Sequence, residues 1–336
     1  MVLPAMSEVL LLRDAEVMEA LAGPDAMLAA IEALEGSFRA TARGQVSLAT
    51  RHEFRYPADA GRNQADVSFA TNWGISPLLH GIGGRLLALG PNSFDKHHGH
   101  WNMVLDFESL DLVCLMEDIG MHTYQVGANV GVATKYLARP DATVAAVLGS
   151  GRQARGSLQA MCAVRPIKEA RVFSPNAEHR LTFAAEMSAE LGIEVTAVDS
   201  ARAAVSGAQV ISCATTNWLR GGGAVFDDEA LSPGVHINTI ATDEVPEATW
   251  RRARIVPPGE AAIRWEPVGT LIKEGAIGEE RLRPTLSQVV EGSATQVPDE
   301  DVSIFVGNLL GTHHLAMGRL VYERALACGI GTTWSL

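Results

Sequence analysis

Val144-Ala145-Ala146-Val147-Leu148-Gly149-Ser150-Gly151-Arg152-Gln153-Ala154-Arg155 decides the fold of this chain. Its opening apolar run reads as a strand buried on both faces. The glycines that follow have the spacing G-x-G-x-x-A, and a helical pattern continues through about Val164. Each small residue meets a physical demand there. Gly149 permits a tight turn out of the strand, Gly151 lets the backbone approach a pyrophosphate, and Ala154 lets helix and strand pack closely. The helix N-terminus offers free N–H groups and the positive end of its dipole to phosphates. The bland alternative is a tight turn without a ligand. The position between a buried strand and a helix, with a second strand about 20 residues on, favours a dinucleotide.

Working outward, the rhythm continues downstream. Ala170–Phe173 reads as a strand, 177–191 as a helix and Glu194–Val198 as a strand. A short helix near 200–206 precedes strands at Gln209–Ala214 and Val235–Ile240. Such alternation predicts a parallel sheet with crossover helices. Upstream, Arg13–Leu21 and Asp25–Ala42 have helical spacing, with Asp25 after a Gly-Pro break as an N-cap. Short, partly alternating runs from Gln45 to Asp111 read as a mostly antiparallel sheet. Residues 121–138 read as a helix that ends at Arg139-Pro140, and about 303–327 as a helix returning to the first domain. The fold class expected is α/β, a Rossmann-type parallel sheet domain beside an α+β domain.

Composition narrows the partners. The 336 residues carry 27 Lys+Arg against 39 Asp+Glu, a formal net charge of −12. The length suggests two domains, and the acidic balance argues against nucleic acid. No apolar run reaches the roughly 18 residues of a membrane helix. The N-terminus lacks a basic segment and a cleavage site, so no secretory signal is read. Cys114, Cys162, Cys213 and Cys328 are scattered in apolar surroundings. They are expected to be buried thiols in a reducing cytoplasm.

The second strand ends at Phe173-Ser174-Pro175-Asn176, where an NAD-selective site usually places an acid. Ser174 and Asn176 stand there instead, and Glu178 is too far along. His179 and Arg180 either meet a 2′-phosphate or face solvent, so NAD and NADP both stay open. Thr215, after the strand at 209–214, is a further cofactor-side candidate.

The stretches Lys135-Tyr136-Leu137-Ala138-Arg139-Pro140-Asp141-Ala142 and Val147–Arg155 resemble the ornithine cyclodeaminase/μ-crystallin family, as does Gly234-Val235-His236-Ile237-Asn238 with Asp243. Leu320-Val321-Tyr322-Glu323-Arg324-Ala325 is a weaker match. The resemblance covers nearly the whole chain. It implies a Rossmann dinucleotide-binding domain at 121–309, inserted between the pieces of a substrate-binding and dimerisation domain at 1–120 and 310–336. It also implies a homodimer, an active site between the domains, and imino-acid chemistry beside a nicotinamide.

The departures from the family bear on the reaction. Members usually carry a catalytic lysine six residues before a Pro-Asn turn; here Arg85 stands six before Pro91-Asn92. Members usually carry a carboxylate-clamping arginine ten residues before the lysine of the Lys-Tyr-Leu motif; here that position is Gln125. The late segment often carries Glu-Asp before Leu-Ala; here it is His313-His314. Asp243 falls where the family's catalytic aspartate lies, and Arg51 resembles a second carboxylate-binding arginine.

Asp243, just past a parallel strand, is either a general acid/base toward nitrogen or the cap of a turn. Arginine stays charged where lysine can shuttle protons. Arg85 therefore either clamps a carboxylate or sits on a sheet edge. With Arg51 it would make a site of two cationic groups. Gln125 either hydrogen-bonds a polar group or packs in its helix, and Asn92 is a substrate-side candidate. His97, His98 and His100 form a loop that could bind metal, touch substrate or simply be solvated; no metal is expected. The function expected is an NAD(P)-dependent imine or ketimine reductase, or amino-acid dehydrogenase, acting on a small imino or amino acid. The alternatives are a redox-neutral cyclodeaminase and a non-catalytic NADP-binding protein.

Overall fold

A computed structural model describes residues 8–49, 51–57, 67–90, 99–217, 222–240, 242–260, 268–294 and 301–335. The chain divides into two compact units, Met1–Gln125 with Leu309–Leu336, and Val126–Asn308.

The first unit holds β1 (Glu8–Leu12), α1 (Asp14–Ala20), α2 (Ala26–Ala42), β2 (Ser47–Leu48), β3 (His52–Tyr56), β4 (Val67–Ser76), β5 (Gly81–Leu89), β6 (His100–Asp106) and β7 (Leu112–Glu117). The start of α3 (Ile119–Leu137) follows, and the C-terminal segment adds α10 (Gly311–Cys328) and β15 (Thr332–Ser335). The sheet order is β15-β1-β7-β6-β5-β4-β2, with β3 also paired to β4. Along β4, Ser68, Ala70, Gly74 and Ser76 are buried, while Val67, Phe69 and Ile75 are exposed. That two-residue period separates a covered face from an open one. α10 lies on β4, β5 and β6 and also packs on α2. The approach is close enough to demand glycine. A Cβ at Gly74 would sit 2.6 Å from the Thr312 backbone nitrogen, and one at Gly311 would collide with the Trp73 carbonyl.

The second unit holds β8 (Val144–Leu148), α4 (Arg152–Val164), β9 (Glu169–Phe173), α5 (Ala177–Leu191), β10 (Glu194–Ala197), α6 (Ala201–Val205), β11 (Val210–Cys213) and β12 (His236–Thr239). α7 (Glu247–Arg252), β13 (Arg254–Val256), α8 (Val268–Lys273), α9 (Leu286–Glu291) and β14 (Ser303–Val306) complete it. The sheet order is β10-β9-β8-β11-β12-β14-β13, and every pair is parallel. β11, β12 and β14 are buried at every residue. One core gathers Leu158, Met161, Phe183 and Met187; the other gathers Val205, Trp250, Leu271 and Leu282.

Three expectations are corrected. Residues 303–306 are strand β14, and only from Gly311 does the chain turn helical. A short apolar run next to a helical pattern cannot be told from helix by periodicity. Asp25 precedes α2, but its backbone is already helical and its side chain makes no cap bond; Oδ2 accepts from Arg324 Nη2 at 2.7 Å. Of the cysteines, Cys114 and Cys213 are buried, Cys162 is partly so, and Cys328 is exposed in the last turn of α10.

Three histidines are buried as neutral groups. His236 on β12 meets Ser303 Oγ at 2.9 Å and Asn238 Oδ1 at 3.2 Å, and Asn238 Nδ2 donates to Thr134 Oγ1. Burial pushes His236 and His313 down to about 3, and His314 well below its ordinary range. The unfolded chain therefore binds these protons first. Their contribution to stability is full above about pH 6.5 and is lost as pH falls toward the folded values. At pH 5.5 the loss is roughly 1.4 kcal/mol per histidine. Urea melts should show the transition midpoint falling steadily from pH 7.5 to 5.5; a flat profile would contradict the buried neutral state.

Candidate functional site

The glycine turn of the second unit sits where the strand order reverses. β8 has β9 on one side and β11 on the other, the switch point at which open α/β sheets bind ligands. Gly149 has φ +113°, and a Cβ there would collide with the Ala214 carbonyl oxygen. Its N–H donates to Phe173 O at 2.8 Å, which ties the turn to the end of β9. Gly151 is different. Its backbone is extended, and a Cβ would meet nothing within 4 Å. Neither conformation nor packing requires glycine there; an open approach to the N-terminus of α4 does. Ala154 is fully buried in the core, and Gln153 Oε1 is buried without a hydrogen-bond partner among the described residues. Ser150 and Arg152 complete the turn, the first half-buried and the second exposed. These residues suit a dinucleotide pyrophosphate.

Around the turn, the other cofactor-side candidates have defined partners. Ser174 is buried at the end of β9, and Asn176 Oδ1 accepts from His179 N at 3.0 Å to cap α5. Arg180 folds back, with Nη1 donating to Ser174 O at 3.2 Å and Nη2 to Asp199 Oδ1 at 2.6 Å. Thr215 donates its N–H to Glu244 Oε1 at 2.9 Å, and its hydroxyl bonds the same oxygen. Asp243 stands beside Glu244 in a 3-10 turn past β12, its carboxylate against Gly222. It lines a cavity of about 320 Å³ with Ala224, Val245, Trp250 and Leu271.

The first unit gathers the substrate-side candidates. Arg85 lies mid-sheet on β5, opposite Asn72 of β4 and Asn102 of β6, so the sheet-edge expectation fails. Its Nε stands 2.7 Å from Asp118 Oδ2, an ion pair without the alignment of a hydrogen bond. Asp118 is fully buried; burial pushes its carboxyl above the usual range and the Arg85 guanidinium opposes that rise. The same guanidinium donates from Nη2 to His100 Nδ1 at 2.9 Å. Nη1 lies 3.3 and 3.2 Å from the two ring nitrogens of His122. Near-equal distances place it over the ring face, because an in-plane position would fall on the carbon between them. Gln125, fully buried, has Oε1 3.3 Å from His122 Nδ1 and Nε2 2.8 Å from His314 Nδ1. Gln125 thus bridges two histidines of its own unit.

Arg51 is largely exposed and 3.6 Å from Glu53 Oε2, and its charge adds to those that depress His314. Each of the two cations has an acidic neighbour, Asp118 for Arg85 and Glu53 for Arg51. His100 opens strand β6 and is no loop residue. Asn92, His97 and His98 lie outside the described residues. Among the described residues, no group of three or more His, Cys, Asp or Glu is placed to hold a metal, and no helix is long and apolar enough to cross a membrane. Asp118, His122, Glu244 and Asp199 were not singled out from the sequence. Asp118, His122 and Gln125 do carry a signal, since spacings of four and three put them on one side of a helix and its lead-in.

The profile of the ornithine cyclodeaminase/mu-crystallin family matches residues 96–329. The chain belongs to this family. A Delta(1)-pyrroline-2-carboxylate reductase of Bacillus cereus is 31% identical over 240 residues, 68% of this chain and 72% of that protein. An L-lysine cyclodeaminase of Streptomyces rapamycinicus is 30% identical over 60% of this chain and 58% of its own. The Thermococcus litoralis Delta(1)-pyrroline-2-carboxylate reductase, solved with NADH and L-proline, superposes with a TM-score of 0.85 at 27% identity, over 96% of this chain and 99% of its own. Arg85, Gln125 and His314, where the resemblance implies lysine, arginine and an acid, are joined through His122 in one polar cluster.

The ion pair has a testable consequence. Arg85→Ala alone strands a buried carboxylate and should cost roughly 3–5 kcal/mol. Adding Asp118→Ala should recover part of that cost in urea melts, whereas simple additivity of the two changes would show that the groups do not interact.

Proposed function

We propose that this protein is an NAD(P)-dependent oxidoreductase that reduces the C=N bond of a small α-imino acid or runs the reverse amino-acid dehydrogenation. The observation that carries the reading is the open space over Gly151 at the switch point of the parallel sheet. The likeness to pyrroline-2-carboxylate reductases supports the bond type.

In this reading Gly149, Ser150, Gly151, Arg152, Gln153 and Ala154 hold the pyrophosphate. Ser174, Asn176 and Arg180 border the adenosine ribose, and Thr215, anchored by Glu244, completes the rim. A bound nicotinamide supplies the hydride. Reduction of C=N also requires one proton at nitrogen, and Asp243 is the carboxylate assigned to give it, or to take it in the reverse direction. Arg51 and Arg85 hold the substrate carboxylate, with Gln125 fixing the cluster around Arg85 and Asn92 as a further substrate contact.

The protein is further proposed to work as a cytoplasmic homodimer. On the first unit's sheet Phe54 pairs with Phe69 and Tyr56 with Val67, and all four, with Ile75 and Trp101, are exposed. A contiguous apolar sheet face of that kind calls for a cover, and a second copy is the occupant assigned. Light scattering should give twice the chain mass, and Phe69→Lys should lower it; a monomeric wild type would refute the assembly.

Imines formed from keto acids with ammonia or methylamine, and cyclic imines, should oxidise NADH or NADPH with matching formation of amino acid. Ammonia release without net change in nicotinamide absorbance would favour the cyclodeaminase alternative, which the lysine cyclodeaminase relative keeps in view. Cofactor binding with no turnover across the panel would favour a binding protein. Asp243→Asn should lower kcat by about 10²–10⁴ with cofactor binding intact, and Gly151→Val should abolish cofactor binding while leaving the circular dichroism spectrum unchanged.

A further inference from the structure

The end of β9 lacks the acid that a ribose 2′-hydroxyl calls for. A dinucleotide-binding sheet holds that hydroxyl on a carboxylate at the close of its second strand, about 20 residues past the glycines. Here Phe173 ends the strand and Ser174 follows it. Asn176 spends Oδ1 on the His179 N–H as the cap of α5. Glu178 is exposed in the first turn of α5, and at two residues from Arg180 it projects from another side of the helix. What stands at the strand end is a cation. Arg180 reaches back from α5 with Nη1 on Ser174 O at 3.2 Å, and Nη2 lies 2.6 Å from Asp199 Oδ1. Asp199 follows β10, which pairs in parallel with β9 as β9 does with β8, so the pair sits at the same end of the sheet as the glycine turn.

We infer that this corner of the nucleotide site takes a 2′-phosphate, with Arg180 as the residue that recognises it, so that the protein prefers NADP to NAD. Two contacts do not exhaust the five N–H groups of a guanidinium. Nε bonds none of the described residues and is not sealed from solvent, which leaves the group an open edge. The Ser174 carbonyl fixes the guanidinium at the strand end, where the 2′ position of an adenosine ribose belongs. Asp199 is the competing anion. It is 98% exposed, and an ion pair so open to water contributes little. A phosphate monoester brings more charge and three acceptor oxygens to the planar fork of an arginine, and displaces it. The inference rests on the reading of the Gly149–Ala154 turn as a dinucleotide site and is independent of the bond reduced.

NAD+ and NADP+ differ only in that phosphate, and calorimetric titration of the wild-type protein reads the difference without turnover. NADP+ should bind at least about tenfold tighter than NAD+. Arg180→Gln should cut that ratio by at least about tenfold. Asp199→Asn, which removes the competing charge, should tighten NADP+ by about threefold. NAD+ bound as tightly as NADP+, or a ratio untouched by Arg180→Gln, overturns the inference and leaves the dinucleotide site standing. So does an Asp199→Asn variant that loses NAD+ affinity and keeps its NADP+ affinity, since Asp199 would then be the acid that serves the ribose hydroxyl. Binding of neither dinucleotide refutes the site and the inference together. If Arg180→Gln does not fold, the wild-type ratio and the sign of the Asp199→Asn effect decide.

Discussion

A guanidinium in the middle of a sheet has to be answered, and the answer here is the buried carboxylate of Asp118. Uncompensated, the charge of Arg85 would cost more than any single packing contact in the unit returns. With the pair in place, the guanidinium also reaches His100 through Nη2 and His122 through Nη1. His122 then borders Gln125, and Gln125 borders His314. One buried arginine thereby settles the hydrogen-bonding state of side chains drawn from β5, β6, α3 and α10. The neutral state of His314 is part of the same arrangement, since burial and the nearby Arg85 both oppose its protonation.

The second unit obeys a backbone constraint instead. A parallel strand that leads directly into a helix needs a turn with no room for a Cβ, and Gly149 supplies it against the Ala214 carbonyl. The same crowding fixes where the end of β11 lies, and Thr215 follows from there. Glu244, buried and bonded to Thr215, ties that segment to the turn that carries Asp243. The Gly-rich turn and the acidic turn are thus held by one short chain of contacts within a single unit.

Much of the second unit was legible from sequence because buried parallel strands are continuous apolar runs. β8, α4 and α5 fall where the patterning put them. β14 was not legible, because four residues, three of them apolar, set no period and the helical pattern behind them absorbed the run. β1 and β15 were hidden for a related reason: each is short, and their pairing with β7 and with each other depends on residues far away in sequence. In the candidate site, Arg85 and Gln125 stood out only as departures from a family pattern. That they share a cluster with His100, His122 and His314 is a tertiary fact. Spacing on α3 hinted at the His122–Gln125 side, but nothing local connects it to position 314.

An arginine at position 85, where the resemblance implies a lysine, bears on which reaction the proposed site supports. A lysine can lose its proton in a dry site and return it; an arginine keeps its charge and offers direction instead. Reduction of an imine asks the protein for one proton at nitrogen, which a single carboxylate such as Asp243 can manage. Redox-neutral cyclodeamination asks for more, because the nitrogen must be protonated as it leaves and a second amine must lose a proton as it closes the ring. The proposed site, with a fixed cation paired to Asp118 where the resemblance implies an ammonium, is therefore better matched to hydride transfer with one proton than to a sequence of several.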